Sequence, residues 1–523
     1  MTRLVHPWGK TTDLGGRRSL CQHAFDVGST FEALSGLGSF GRRLWQAAGA
    51  ELPNTTVSRL AVLVFLHDAG KLNAGFQLKV EPGSPLRRLG NVGHVAEGLR
   101  LLLAHAEDAR ERAALAEMRA ALGLGRIGSW GSGTAPLLRA ALAHHGRPAS
   151  EEAGVRCADI WRPQADYDPV TAAAALGAAL REAYPEAFED GPELPDAPAF
   201  QHLFAGLVGL ADQVGSMEAF FPPGGPEAGR GGAIAQAGVA LAAIGLDVGP
   251  LRARLRDPAP AAMFGWRADA APKPMQERLR DAPVDQRLLI LEAETGSGKT
   301  EAAFLRFKTL FEAGAVDALY FAVPTRAAAV QLRRRINDTS QALMGAEAIL
   351  ALPGYLTAGA AEGRVLPEWR VAWDDDPDQA LRDSRWAAET PRRFLAAPVG
   401  VGTVDQAMLA ALQAKWAHFR AAALSRALLV IDEVHASDAY MARVIERLLR
   451  DHLALGGHAL LMSATLGAAA RRRWLTGGAP PPVAEAAAAD YPSLSWAEGK
   501  EERLSRLDHD GREKAVAVAT APA

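Results

Sequence analysis

Two groups of residues in this 523-residue chain have the types and spacing to act on phosphate. The first lies in the amino-terminal half: His23, the adjacent pair His67–Asp68 in FLHDAGK, His94, the adjacent pair His144–His145 in ALAHHG, and Asp212. Neutral imidazole nitrogens and carboxylate oxygens suit divalent transition metals such as manganese, iron, cobalt, nickel or zinc. Two such ions ~4 Å apart would activate a water and steady both oxygens of an in-line phosphoryl displacement. Asp68 is the natural bridge, because one carboxylate can give an oxygen to each ion. Lys71, one helical turn beyond His67, could neutralise charge developing on a phosphate. A lone histidine at a helix end is ordinarily a surface or capping residue. The metal reading rests on two adjacent pairs, one of them followed by Gly-Lys.

The second group is AETGSGKT (293–300), which follows the apolar run LLILE and precedes a helical pattern. In such a loop Thr295, Gly296, Ser297 and Gly298 let backbone N–H groups wrap phosphates, and the helix N-terminus adds its dipole. Lys299 would reach the β- and γ-phosphates of ATP, and Thr300 would ligate magnesium. The strict Gly-x-x-x-x-Gly-Lys-Ser/Thr pattern has Ala293 at its first position. Further along, LLVIDEVH (428–435) delivers Asp432 and Glu433 at the end of an apolar run. Asp432 would hold magnesium and Glu433 would position or deprotonate the attacking water. SAT (463–465) ends another apolar run.

The elements that must position these groups differ between the halves. Apolar residues at three- and four-residue spacing over 57–66, 95–117 and 135–144 predict helices. The Pro/Gly-rich stretch FPPGGPEAGRGG (221–232) reads as a linker, followed by an Ala-rich helix to about Leu255. Beyond it, short apolar runs at 288–293, 318–323 and 427–433 alternate with helical segments such as 301–312, which predicts a parallel sheet covered on both faces. The expected plan is an all-α domain over 1–220, a linker and connecting helix over 221–258, an α/β P-loop domain over 259–505, and a tail or the start of another domain over 506–523, where VAVAT (516–520) reads as a strand.

Composition limits the rest. Lys+Arg total 57 against Asp+Glu 60, a net charge of −3, so any polyanion site must be a local patch. Two cysteines, Cys21 and Cys157, exclude a disulfide framework or a cysteine-based zinc module. The opening MTRLVHPWGK lacks a signal peptide's apolar core, and Leu60–Leu66 is far shorter than a membrane span. A soluble, cytoplasmic protein with no membrane partner is expected.

FLHDAGK, LCQHAFDVG around His23, GHVAEG around His94, AHHG and GLADQVGS resemble the HD-domain nuclease, in the form fused to the helicase-nuclease of type I CRISPR systems. The A-x-T-G-S-G-K-T loop and IDEVH are similar to helicase superfamily 2, whose P-loop domain is RecA-like. The resemblance implies one metal on His23, His67, Asp68 and Asp212, and a second on His94, His144 and His145 with Asp68 bridging. It also implies Gln276, in PKPMQ, as the adenine contact, and Thr325, Arg326, Thr403 and Gln406 as contacts to a DNA backbone. SAT would couple ATP state to domain movement. The implied function is metal-dependent cleavage of single-stranded DNA, delivered by a guide-RNA surveillance complex, with ATP feeding the strand.

After Thr465 only 58 residues remain (523 − 465), against ~150 for a RecA-like domain. No Gln-x-x-Gly-Arg-x-x-Arg element is present. The expectation is therefore a chain lacking most of the second RecA-like domain, a poor ATPase alone, which a separate chain carrying that domain would complete. Two alternatives stay open: an HD nucleotide phosphohydrolase with an ATP-sensing domain, and a catalytically idle platform that binds DNA or a partner helicase half.

Overall fold

The computed structural model describes residues 7–11, 16–79, 92–104, 106–150, 154–155, 157–225, 227–365, 371–375, 385–436 and 438–508. The strand expected at 516–520 lies outside them. A short antiparallel pair, β1 (Trp8–Thr11) and β2 (Arg17–Ser19), opens the chain, with a break in register between Trp8 and Lys10. The Leu20–Gly36 helix follows, started by the Ser19 hydroxyl, which accepts from the Gln22 N–H at 3.1 Å. Beside it, the Asn54–Phe65 helix buries every residue from Ser58 to Phe65, so it forms the centre of the helical half. It tightens into a 3₁₀ segment, Leu66–Leu72, whose seven residues are all buried. Gly70 lets that segment touch the Val95–Leu102 helix: a Cβ there would lie 1.8 Å from the His94 carbonyl oxygen.

Two expectations about this half change. The pattern over 95–117 is two helices, Val95–Leu102 and Ala109–Leu122. Asp108 caps the second by accepting from the Glu111 N–H at 2.8 Å, and Arg119 reaches back to the carbonyls of Arg100 and Leu101 at 2.9 and 2.7 Å. The Ala-rich helix Gly229–Ala243, read as a connector, packs on Leu20–Gly36, with Arg230 paired to Glu32 at 2.6 Å.

The second half is built on an eleven-stranded sheet. Its strands are β3 (Leu288–Glu292), β4 (Ala318–Val323), β5 (Ile349–Ala351), β6 (Thr357–Ala358), β7 (Ala361–Val365), β8 (Val371–Trp373), β9 (Val399–Thr403), β10 (Ala427–Ile431), β11 (His458–Ser463), β12 (Ser493–Glu498) and β13 (Glu501–Arg506). The order is β13-β12-β3-β11-β10-β4-β9-β5-β6-β7-β8. The six strands from β3 to β5 in that order pair in parallel, as the apolar runs predict. The flanks are antiparallel, so the sheet is mixed.

Residues along the central strands alternate between two cores. Leu428 and Val430 join Phe304, Phe307 and Phe311 on one face. Ala427, Leu429 and Ile431 join a core that runs unbroken into the helical half, through the Ala417–Ser425 helix and the Pro198–Gly215 helix. Those two helices approach closely at Gly206, where a Cβ would lie 2.3 Å from the His418 carbonyl. The halves are therefore welded by apolar burial. No helix among the described residues is long and apolar enough to cross a membrane.

Candidate active site

The histidines and aspartates spread over 190 residues of sequence converge on one carboxylate. Asp68 Oδ2 lies 3.2 Å from His23 Nε2 and 3.3 Å from His67 Nε2, and Asp212 Oδ1 closes this side at 4.0 and 3.8 Å from the same nitrogens. Asp68 Oδ1 faces the other way, 3.3 Å from His94 Nε2 and 3.7 Å from His144 Nε2, while His145 Nε2 lies 3.0 Å from His94 Nε2. Nitrogens and oxygens bound ~2.0–2.2 Å from one cation would stand about this far apart. Local backbone aims the rings: His67 Nδ1 lies 2.8 Å from the Val64 carbonyl and His144 Nδ1 3.0 Å from the Ala141 carbonyl, each turning Nε2 inward.

Buried polar atoms nearly always have hydrogen-bond partners. Here His23 Nδ1 and Nε2, His67 Nε2 and Asp68 Oδ1 are buried with none. Burial pulls His23 and His144 down to about 3 and His94 to about 4, so these imidazoles are neutral at pH 7, the form that ligates. Burial alone would raise Asp68, yet Lys71 and His67 hold its carboxyl well below the ordinary range. For His67, Asp68 outweighs burial and moves the ring upward. The donor set, its spacing and its orphaned atoms fit divalent cations.

Lys71 stands differently from expectation. Its ammonium is buried, 2.6 Å from Asp68 Oδ2 and 2.8 Å from the Gly9 carbonyl, so two of its three N–H donors are engaged in holding Asp68 and the backbone.

The residues expected to bind nucleotide gather at the carboxyl ends of β3, β10 and β11, where open α/β sheets place their ligands. Gly296 and Gly298 take φ of 79° and 99°, and the Lys299–Glu312 helix starts directly after. Lys299 Nζ is bonded to the Ala293 carbonyl at 2.8 Å and lies 4.0 Å from Glu433 Oε1. Glu433 itself adopts φ 50°, rare for a side-chain-bearing residue. Burial and the neighbouring Glu433 raise Asp432. His435 Nδ1 lies 3.3 Å from Glu433 Oε2 and 2.9 Å from Ser463 Oγ, which ties the acidic turn to SAT. Ser297 Oγ is buried without a partner, and Thr300 is half-buried beside it. Gln276 is buried, its amide nitrogen 3.2 Å from the Gly298 carbonyl. A cavity of about 240 Å³ next to this loop is lined by Phe264, Thr300, Phe304 and Arg335.

The four residues expected on a DNA backbone lie at or just after the carboxyl ends of the paired strands β4 and β9 and differ in exposure. Thr325 is exposed and caps its helix, accepting from the Ala328 N–H at 3.2 Å. Arg326 is exposed, 3.2 Å from the Pro353 carbonyl. Thr403 and Gln406 are buried at the end of β9.

Sequence patterns did not reveal the contacts that join the two halves at this site. Arg393 donates to Gln213 Oε1 at 2.8 Å, beside Asp212, and the Trp416 N–H donates to the Gly146 carbonyl at 3.0 Å, just after His144–His145.

Residues 8–221 match the family model described as Cas3, HD domain, and residues 273–472 match the DEAD/DEAH box helicase model. The chain is 32% identical over 443 residues to the CRISPR-associated endonuclease/helicase Cas3 of Thermus thermophilus, covering 78% of this chain and 44% of that protein. Among solved structures, T. fusca Cas3-ATP has the same fold, with a TM-score of 0.69 at 22% identity over 98% of this chain and 58% of that one. A chain from a structure described as a CRISPR RNA-guided surveillance complex, pre-nicking, matches at a TM-score of 0.59 and 20% identity, over 97% of this chain and 54% of that one. The chain spans less than half the length of the curated relatives it matches.

Proposed function

We propose that this chain, a Cas3-type HD domain followed by a DEAD/DEAH-box helicase domain, is a metal-dependent endonuclease for single-stranded DNA with an attached ATP-binding module. The observation that supports this most is Asp68, one carboxylate with an oxygen turned to each of two nitrogen-rich ligand sets. His23, His67, Asp68 and Asp212 would hold one divalent ion, and His94, His144, His145 and Asp68 the other. Manganese, iron, cobalt or nickel suits such a set, and bound there would lower the pKa of water and share charge on the phosphate oxygens. The chain's own part is to fix the ligands: Lys71 holds Asp68 Oδ2, and the Val64 and Ala141 carbonyls set two rings.

In the second domain Lys299, Thr300, Asp432 and Glu433 would bind ATP and magnesium around the loop 295–298, with the base beside Gln276 and Phe264. The exposed Arg326 suits a strand's backbone. Full ATP turnover would need an arginine from a second RecA-like domain, in this polypeptide or in another. By kinship with the relatives above, the DNA would arrive from a guide-RNA surveillance complex.

The test is nicking of circular single-stranded DNA with manganese, cobalt or nickel and no ATP. Metal-dependent nicking lost in Asp68→Ala supports the reading. Hydrolysis of free nucleotides without nicking would replace it with the phosphohydrolase reading, and metal occupancy with neither activity would leave a binding platform.

A further inference from the structure

A phosphodiester entering the two-ion site carries negative charge that grows on its non-bridging oxygens as water attacks, and a nearby cation stabilises that growth. Lys71 is buried and already bonds Asp68 and the Gly9 carbonyl. The bond to Gly9, however, anchors β1 at the rim of the site. Gly9 packs so tightly there that a Cβ would lie 3.0 Å from both His23 Cβ and Leu20 Cα. On its other side Trp8 is fixed by Gln77: the Trp8 N–H donates to Oε1 at 3.0 Å, and Gln77 Nε2 donates to the Trp8 carbonyl at 3.0 Å. The register with β2 then breaks between Trp8 and Lys10, the kind of bulge that re-aims a side chain next to an active site.

The residue delivered by this anchored bulge is Lys10. It is half-buried, and its ammonium has no hydrogen bond or ion pair among the described residues. Its charge nonetheless reaches the ligands, helping to lower both Asp212 and His23. We propose that Lys10, nearer to solvent than the buried Lys71, contacts the scissile phosphate of the strand in the nuclease site. The proposal rests on the nuclease reading above.

The charge of Lys10 separates this role from a structural one. A cation beside two dications opposes their binding, so removing it leaves metal affinity unchanged or tighter, whereas loss of a residue that shapes the site weakens it. The experiment compares wild type, Lys10→Ala and Lys10→Arg in manganese titration calorimetry without DNA, and in steady-state nicking of circular single-stranded DNA, with Asp68→Ala as control. Expected for Lys10→Ala is a ~100-fold fall in kcat/KM, in the range of a lost charge-stabilising donor, with equal or tighter manganese binding. Lys10→Arg restores part of the rate. Wild-type kcat/KM in Lys10→Ala overturns the proposal, as does a loss of manganese affinity that parallels the loss of rate. A wild type that does not nick, or an Asp68→Ala protein that does, overturns the nuclease reading and the proposal with it.

Discussion

Gly146 offers a quantitative check on the seam between the domains. It closes the loop after His144–His145 at φ 87°, and a Cβ built on it would lie 2.5 Å from Cδ2 of the Trp416 indole. Gly146→Ala therefore carries two costs. A left-handed backbone costs an L-residue ~1–2 kcal/mol, and overlap with a packed ring costs ~1–3 kcal/mol. The indole has little room to retreat, because the Arg392 guanidinium lies 4.9 Å from its centroid and the Phe419 ring 5.9 Å away. The sum is a loss of ~2–5 kcal/mol. In a Trp416→Ala background the overlap disappears and only the backbone cost of ~1–2 kcal/mol remains. Urea denaturation of the four proteins measures the difference, a coupling of ~1–3 kcal/mol in which the second change relieves the first. The same strain falls on the loop that presents His144 and His145, so Gly146→Ala also weakens manganese binding about tenfold for each ~1.4 kcal/mol that reaches the ligands. Additivity of the two substitutions within ~0.5 kcal/mol would refute the packing of the indole on this loop.

The other predictions concern protons and metal. His452 is buried, with Nε2 3.0 Å from the His458 carbonyl, and burial pulls it down to about 4. The unfolded chain takes up its proton below pH ~6.5, so stability is fully present above that value and is lost as pH falls from ~6.5 to ~4, by ~3 kcal/mol. Denaturation at pH 7.5 and 5 measures this slope, and His452→Gln flattens it; equal slopes would count against the assignment. Stripping metal with a chelator lowers the melting temperature, and manganese at a hundred times its Kd restores ~2.7 kcal/mol. That restoration is absent in Asp68→Ala, as melting curves with and without manganese would register.

Much of the site was legible because its residues come in local patterns. A phosphate loop needs glycine, lysine and hydroxyl in a row, and Gly296, Gly298, Lys299 and Thr300 stand together at the end of β3. Asp432–Glu433 likewise follows β10 directly. His23 to Asp212 were readable only as pairs and short motifs, and it is folding that sets them around Asp68. What the sequence hid is long-range. Nothing near Trp416 marks it as a partner of Gly146, because the pair is 270 positions apart and neither belongs to a periodic pattern. The burial of Lys71 was equally hidden, since helical spacing places it near Asp68 without saying which way its ammonium turns. The antiparallel flank from β5 to β8 escaped because its strands are two to five residues long, too short for periodicity to register.

The lysine of the phosphate loop has a consequence for nucleotide affinity. With Lys299 bonded to the Ala293 carbonyl and 3.4 Å from that of Glu294, the loop supplies its own occupant for the position a phosphate would take. A phosphate that recruits the Lys299 ammonium exchanges those carbonyl contacts for its own, so the net gain in nucleotide affinity is smaller than the bare charge interaction. A domain or strand that drew those two carbonyls aside would tighten nucleotide binding without touching the nucleotide.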